Sequence, residues 1–345
     1  MSKNEVDLDK KPIAETLSLA DQVPVIDISE LLIDSSGSAA RQAVDQIASA
    51  CRSWGFFQVI NHGISSEKFS QVWSQTHALF AFAEEKKQSI MRSRENPWGF
   101  YNNELTKNQR DKKEVFDFTH EGIDTIYQQS NQWPAGQPLI KSVLQDYFSA
   151  CSRLSLTLLE AFCVGLELPS TFMHGDFETN HTGFLRLNYY PVKDPMQNQT
   201  EQHQQVADLG VHHHTDAGAL TVLLQDDIGG LQVYRDGFWH NVPPVENALV
   251  INTGDMMQVW SNDIYQAAIH RVLAMKNRDR YSLPFFFNPA ATAQVYPLPS
   301  VISEQVSARY NLIKWADFRG KRTDGDYADY GAEVQISQFS KQEIL

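Results

Sequence analysis

The sequence predicts a mainly β core with flanking helices, and two observations carry that prediction. Between about residues 183 and 288, short runs rich in β-branched and aromatic residues (FLRLNYY, ALTVLL, LQVY, ALVIN, MQVW, RYSLPFFF) alternate with Gly, Asn, Asp and Pro. That texture belongs to a β-sandwich or barrel rather than to a parallel α/β sheet. Outside this stretch, apolar residues recur at three- and four-residue intervals, the period of helices that bury one face.

Taken in order, residues 1–22 read as a loosely held arm. PVIDI (24–28) and GFFQVIN (55–61) read as strands, with a loop at 35–38 (Ser-Ser-Gly-Ser) and a helix over 39–53 between them. A second helix is expected over 66–84, with Phe69, Val72, Trp73, Phe80 and Ala83 near one face. The longest runs over 139–165, where Val143, Leu144, Tyr147, Cys151, Leu154, Leu158 and Phe162 form one stripe. Gly165 and Pro169 stop it. A last helical segment is expected over 302–314, before a polar tail. The expected organisation is therefore an arm (1–22), a helical and strand region packing on the core (23–180), the β core (181–295), and a C-terminal helix and tail (296–345). Within the tail, WADFRGKRTDGDYADYG is a candidate lid.

Composition excludes some classes of function. The chain has 345 residues, 42% hydrophobic and 21% charged, which is ordinary globular composition. Its net charge of −13 and the lack of a basic tract argue against a nucleic-acid partner. No stretch approaches the roughly 18 apolar residues of a membrane span, and the polar start MSKNEVDLDKKP lacks the apolar region of a signal peptide. Cys51, Cys151 and Cys163 are odd in number and flanked by apolar residues, so buried free thiols in a reducing cytoplasm are expected. The sequence leaves the oligomeric state open.

Strands alternate faces, so residues two apart share one. Three such polar pairs stand out: His214 and Asp216 in HHHTDAG, Arg280 and Ser282 in RYSLPFFF, and Asn188 and Tyr190 in RLNYYP. With His270 in IHRVL, the first pair supplies two imidazoles and one carboxylate, the facial set that binds non-haem iron(II) and leaves positions open for a co-substrate and dioxygen. An HxD pair alone is weak, since a strand histidine is more often a hydrogen-bonded core residue. Its company strengthens it: Arg280 follows His270 by ten residues, on the next strand, where a guanidinium can pair bidentately with a carboxylate. Ser282 adds a hydroxyl on the same face. A structural Arg280 paired with another acid is the competing reading.

The segments LRLNYYP, HTDAGALTVLLQDDIGGLQV, INTGDMMQVWSND, IHRV and RYSLPFFFNP, with PVIDIS and SWGFFQVINHGI upstream, carry a resemblance. The chain resembles the iron(II)/2-oxoglutarate-dependent dioxygenases, in the branch that includes isopenicillin N synthase and the plant flavonoid and gibberellin oxygenases, over roughly residues 22–295. The resemblance implies a double-stranded β-helix (jelly-roll) core with iron(II) held in one mouth by His214, Asp216 and His270. It implies 2-oxoglutarate bound through Arg280 and Ser282, with Asn188 and Tyr190 lining the co-substrate site. Arg186, on the strand face of that pair, and Phe286, in phase with Arg280 and Ser282, are candidate substrate contacts.

Of the three consecutive histidines only His214 precedes the aspartate correctly. His212 shares its strand face as a candidate supporting residue, His213 turns away, and His62 in NHGI is structural. The implied reaction consumes 2-oxoglutarate and dioxygen, yields succinate and carbon dioxide, and hydroxylates or desaturates a substrate C–H bond. Asp216 argues against halogenation, for which related enzymes carry a small residue at that position. Two relatives, isopenicillin N synthase and the plant ethylene-forming oxidase, keep the arginine–serine pair without consuming 2-oxoglutarate, so an iron oxidase independent of it stays as an alternative. A non-catalytic ligand-binding jelly roll is a further one. Phe100 and Tyr101 in NPWGFY and Phe116 in EVFDF suggest a small organic substrate with apolar surface; core packing is the competing reading.

Overall fold

The computed structural model describes residues 8, 11–14, 22–33, 37–106, 109–122, 124–194, 209–325 and 334–341. In chain order its strands are β1 (Val25–Asp27), β2 (Phe56–Ile60), β3 (Gly99–Tyr101), β4 (Leu105–Thr106), β5 (Gln109–Arg110), β6 (Glu114–Thr119), β7 (Phe184–Tyr190) and β8 (Leu209–His214). They continue as β9 (Leu220–Gln225), β10 (Leu231–Arg235), β11 (Phe238–Asn241), β12 (Leu249–Thr253), β13 (His270–Leu273), β14 (Arg280–Phe287), β15 (Gln294–Val295) and β16 (Ile313–Lys314). The α-helices are α1 (Ser29–Ile33), α2 (Ser38–Ser53), α3 (Ser66–Phe80), α4 (Glu84–Gln88), α5 (Pro138–Gly165), α6 (His174–Phe177), α7 (Asp255–Trp260) and α8 (Trp315–Gly325).

Two sheets form the core. The larger has eight strands in the order β1-β2-β12-β9-β14-β7-β6-β3, parallel at β1–β2 and antiparallel at every other pair. The smaller has four antiparallel strands, β11-β10-β13-β8. Val211, Leu231, Val233 and Val272 from the small sheet and Phe56, Leu223 and Val250 from the large one share a single apolar cluster, so the sheets close on each other as the jelly roll implied by the resemblance. A larger cluster covers the opposite face of the large sheet, where α2, α3 and α5 pack.

Each helix follows from local chemistry. The Ser65 hydroxyl accepts from the Lys68 N–H at 3.2 Å and caps α3. Pro138 opens α5 at the position where a missing N–H costs nothing. The stripe of α5 (Leu144, Tyr147, Cys151, Leu154, Leu158, Phe162) is buried as expected. Contrary to the sequence expectation, α5 is long and apolar enough by length and composition to cross a membrane; in this fold 56% of its most apolar window is buried.

Four expectations are corrected. No helix spans 302–314: the Ser303 hydroxyl accepts from the N–H groups of Gln305 and Val306, a local turn that competes with helix, and the next helix begins only at Trp315. MQVW lies in α7, not in a strand; Met256, Met257, Val259 and Trp260 are all buried, and a run buried on every side has no period to read. The described part of the arm is held: Ala14 N–H donates to the Trp239 carbonyl at 2.8 Å, Trp239 N–H to Pro12 at 2.9 Å, and the Trp239 indole to the Leu8 carbonyl at 2.8 Å. The division drawn at 180/181 cuts a continuous sheet, since β1, β2, β3 and β6 are strands of the core itself.

Candidate active site

His214 ends β8 directly across from His270, which opens β13, and Asp216 lies two residues further on. The strand pairing thus gathers the three donors, which all fall within 4.8 Å of one another. The Asp216 Oδ1 lies 3.8 Å from His214 Nε2 and 3.7 Å from His270 Nε2. Both rings are fixed in the same way. The Nδ1 of His214 meets the His212 carbonyl at 2.7 Å, and that of His270 meets the Ala268 carbonyl at 3.1 Å, so each Nδ1–H donates backward and each Nε2 is left with its lone pair. Burial, then the neighbouring His270, draws the His214 pKa down to about 3, with Asp216 opposing. Burial pushes the Asp216 carboxyl up, yet His270, His214, Asn252 and Thr221 together hold it below its ordinary value. A neutral His214 imidazole beside an ionised Asp216 carboxylate is the state a divalent ion needs. The other Asp216 oxygen accepts from Asn252 Nδ2 at 2.8 Å and from the Thr221 hydroxyl, two groups that face each other across β12 and β9.

A bulge aims His214. From His270 to Val272 the partner positions run from His214 to Val211, so β8 carries one residue more than β13 over that span, and a second extra residue follows between Val211 and Leu209. Face parity therefore breaks inside the histidine run. Val211, rather than the expected His212, lines the cavity with His214, and His212 supports the site through its carbonyl.

On the large sheet, Arg280 pairs with Tyr190 and Ser282 with Asn188, so two of the polar pairs are one patch on adjacent strands. Arg280 is 1% exposed. Its Nε donates to the Gly229 carbonyl at 2.6 Å, its Nη1 to the Ser282 hydroxyl at 3.3 Å, and its guanidinium lies 4.9 Å from the Tyr190 ring centre. Among the described residues no carboxylate is within ion-pair distance of it. The Asn188 Oδ1 beside it is buried without a partner. A buried cation without a carboxylate at ion-pair distance is costly unless an anionic ligand completes it.

Two adjoining cavities open on the donors, sharing Lys113, Arg186, Val211, His214, Asp216 and Phe286 as walls. Arg280, Ser282, Asn188 and Tyr190 line only the inner one. Leu105, Phe184, Arg319 and Arg322 line only the outer one. Their common wall is an ion network. Arg186 grips Asp117 with two bonds of 2.8 Å and reaches Glu104 at 2.7 Å. Arg92 pairs with Glu104 and Asp117, and Lys113 with Glu104 (2.6 Å) and Asp111 (2.9 Å). Burial opposes ionisation of Glu104, but Arg186, Lys113 and Arg92 hold its pKa well below the ordinary value.

Comparison with known proteins settles the family. Residues 181–289 match the model of the 2OG-Fe(II) oxygenase superfamily, and residues 23–136 match that of the N-terminal region of the non-haem dioxygenase in morphine synthesis. The chain is 33% identical over 305 residues to 1-aminocyclopropane-1-carboxylate oxidase 5 of Arabidopsis thaliana, spanning 86% of this chain and 92% of that protein. The chain belongs to the 2OG-Fe(II) oxygenase superfamily. It is also 29% identical over 317 residues to flavonol synthase/flavanone 3-hydroxylase of Eustoma exaltatum subsp. russellianum, with 90% and 89% covered. The solved structure of JOX2 in complex with 2OG, Fe and JA superposes with a TM-score of 0.77 at 26% identity, over 96% of this chain and 91% of that one. This oxygenase is accordingly a non-haem iron(II)/2-oxoglutarate-dependent dioxygenase that uses dioxygen.

Against that frame the substrate expectations divide. Phe286 lines both cavities of the oxygenase. Arg186 lines both as well, but its donors are committed to Asp117 and Glu104. Phe100 and Phe116 line neither; both are fully buried in the cluster under the helices. The reason is parity. Val115 and Asp117 pair across from Asn188 and Arg186 on the cavity face of β6, which leaves Phe116 and Phe118 on the other. Tyr101 lies under Arg92, 4.8 Å from its guanidinium, and lines neither cavity. His62 is structural, its Nε2 meeting the Asn247 carbonyl at 3.1 Å and its Nδ1 accepting from the Ile64 N–H. Sequence reasoning missed Thr221, Asn252, Lys113 and Glu104. Of these, Thr221 and Asn252 sat in the quoted family-like segments, whereas Lys113 and Glu104 carry no motif. The tail segment offered as a lid is α8 up to Gly325, a wall of the outer cavity; its remainder lies outside the described residues.

Proposed function

We propose that His214, Asp216 and His270 hold iron(II), and that Arg280 and Ser282 hold the distal carboxylate of 2-oxoglutarate, with Asn188 and Tyr190 beside it. The outer cavity then presents a small organic metabolite to the metal for hydroxylation or desaturation. The observation that carries this reading is Arg280: a fully buried guanidinium, without an ion pair among the described residues, in the cavity that the three donors also line. A dicarboxylate that reaches from there to the metal neutralises it. Bound iron(II) supplies the activation of dioxygen and the oxidative decarboxylation of 2-oxoglutarate. The chain's own residues bind, orient and exclude water: Thr221 and Asn252 aim one carboxylate oxygen away from the metal, the two backbone carbonyls aim the imidazoles, and Val211, Leu223, Leu231, Val272 and Phe286 keep the surroundings dry. A cytoplasmic setting goes with this reading, supported by three free buried thiols.

The similarity to an aminocyclopropane-carboxylate oxidase keeps one second reading, an iron oxidase that does not consume 2-oxoglutarate. Oxygen uptake with iron(II), with and without 2-oxoglutarate, separates them when succinate is assayed alongside. Anaerobic addition of both to the apoprotein is expected to give a weak visible charge-transfer band. Absence of that band and of succinate sinks the main reading; oxygen uptake that ignores 2-oxoglutarate establishes the second.

A further inference from the structure

We propose that the primary substrate is a small organic acid with an apolar body, and that Arg319 of α8 receives its carboxylate. The inference rests on the functional reading above and adds the substrate class.

Charge balance in the outer cavity leads to it. Lys113 and Arg186 are matched by Glu104, Asp111 and Asp117. Arg322 is committed to the carbonyls of Thr215 (2.6 Å) and Val334 (3.1 Å) and lies 3.7 Å from Asp255. Once iron(II), Asp216, a dianionic co-substrate and Arg280 are counted together, the inner site is neutral. Arg319 is what remains. Among the described residues it makes no hydrogen bond or ion pair, and its guanidinium rests on the Phe184 ring, 4.8 Å from its centre.

The stacking fixes direction as well as charge. A guanidinium lying on an aromatic face keeps its N–H edge free for a planar, bidentate acceptor. Half-buried, it stays within reach of a ligand entering the outer cavity. Phe184 in turn stacks on Phe286, ring centres 4.6 Å apart, and Phe286 borders the metal donors. Arg319, Phe184 and Phe286 thus form a continuous path from cation to reaction centre, with Leu105 and Val211 also facing the outer cavity. Arg280 lines the inner cavity and not the outer, and Arg319 lines the outer and not the inner, so the two arginines mark separate anion positions. Arg319 also borders a small third cavity, where the Asp124 carboxylate is taken up by the N–H groups of Ile126, Tyr127 and Gln129 and by the Trp98 indole.

The test uses the full-length protein loaded with manganese(II) and 2-oxoglutarate, titrated calorimetrically with phenylacetate, 3-phenylpropionate, 4-phenylbutyrate and 2-naphthoate, and with the carboxamide of each. At least one acid is expected to bind ten-fold or more tightly than its own amide. Arg319→Gln should erase that preference while leaving 2-oxoglutarate affinity unchanged, and Arg319→Lys should restore part of it. The proposal is overturned if no acid binds better than its amide, if Arg319→Gln keeps the preference, or if acids bind only by displacing 2-oxoglutarate. Failure of the underlying functional reading shows itself earlier and separately, as manganese-loaded protein that takes up no 2-oxoglutarate.

Discussion

Replacing Arg280 by Leu separates a ligand-binding arginine from a structural one, because the two roles predict opposite stability changes. In the free protein the guanidinium is buried, with one good acceptor, the Gly229 carbonyl, weaker contacts to Ser282 and the Gln225 amide oxygen, and the Tyr190 face. Losing the bond to Gly229 costs about 1 kcal/mol, and losing the ring contact costs a similar amount. Removing a buried charge that has no carboxylate within ion-pair distance, Asp226 acting on it only from further away, returns part of a desolvation penalty of several kcal/mol. The metal-free variant should therefore be as stable as the parent, or more stable by up to about 3 kcal/mol, in denaturant melts. Binding should move the other way. Truncating one partner of a buried, hydrogen-bonded charge pair costs about 3–5 kcal/mol, at roughly 1.4 kcal/mol per factor of ten. The Kd for 2-oxoglutarate, titrated into manganese-loaded protein by calorimetry, should then rise by roughly two to three and a half orders of magnitude. A Kd within ten-fold of the parent, or a metal-free variant several kcal/mol less stable, would refute the argument.

Three further outcomes are expected. Thr221→Val with Asn252→Leu removes both donors to the distal oxygen of Asp216 and should weaken iron(II) binding by about 10–100-fold; equilibrium dialysis checks this, and unchanged affinity removes both residues from the site. A Cβ at Gly254 would sit 2.4 Å from the Gly218 carbonyl and 2.9 Å from that of Asp216, so Gly254→Ala should cost about 1–3 kcal/mol and reduce metal loading. Gly320→Ala, whose Cβ meets nothing, should do neither. His181 is drawn down to about 4 by burial first and His120 second, with its Nδ1 accepting from the Gly183 N–H and its Nε2 meeting the Ser152 hydroxyl. The unfolded chain protonates this histidine near 6.5 and the folded one only near 4. Its contribution is therefore complete above 6.5 and is lost as pH falls toward 4, at about 1.4 kcal/mol per unit and roughly 3 kcal/mol in all. His181→Gln should flatten the stability profile across that window; an unaltered slope excludes the residue.

The grouping of His214, Asp216 and His270, and that of Arg280 with Ser282, was legible because residues two apart in an extended chain share a face, and the pairings of β8 with β13 and of β14 with β7 then bring each group together. The same rule, applied to β6 with an eye for aromatics, chose Phe116 when the cavity face holds Val115 and Asp117. Hydrophobicity names the interior but not which of two interiors, and this sheet has one on each face. His212 was misjudged because a bulge changes parity and leaves no mark in composition. Glu104 and Lys113, in loops beside β4 and β6, meet Arg186 of β7 from far away in sequence, so the pairing of β6 with β7 had to be seen before their charges could be matched. Arg319 lay in a helix whose start was expected elsewhere, since the turn at Ser303 is a local hydrogen-bond preference rather than a periodic signal.

The extra residue between Val211 and His214 of β8 also bears on how reliably the centre assembles. Three successive imidazoles give the strand three ways to offer a ligand, and in a regular ladder a slide by two positions would exchange His214 for His212 on the same face. The irregular step removes that equivalence, because a slid strand would carry it away from His270 and draw Asp216 out of line with Thr221 and Asn252. Which imidazole faces His270 is therefore set by strand pairing. His212 then serves through its backbone carbonyl rather than as a competing imidazole.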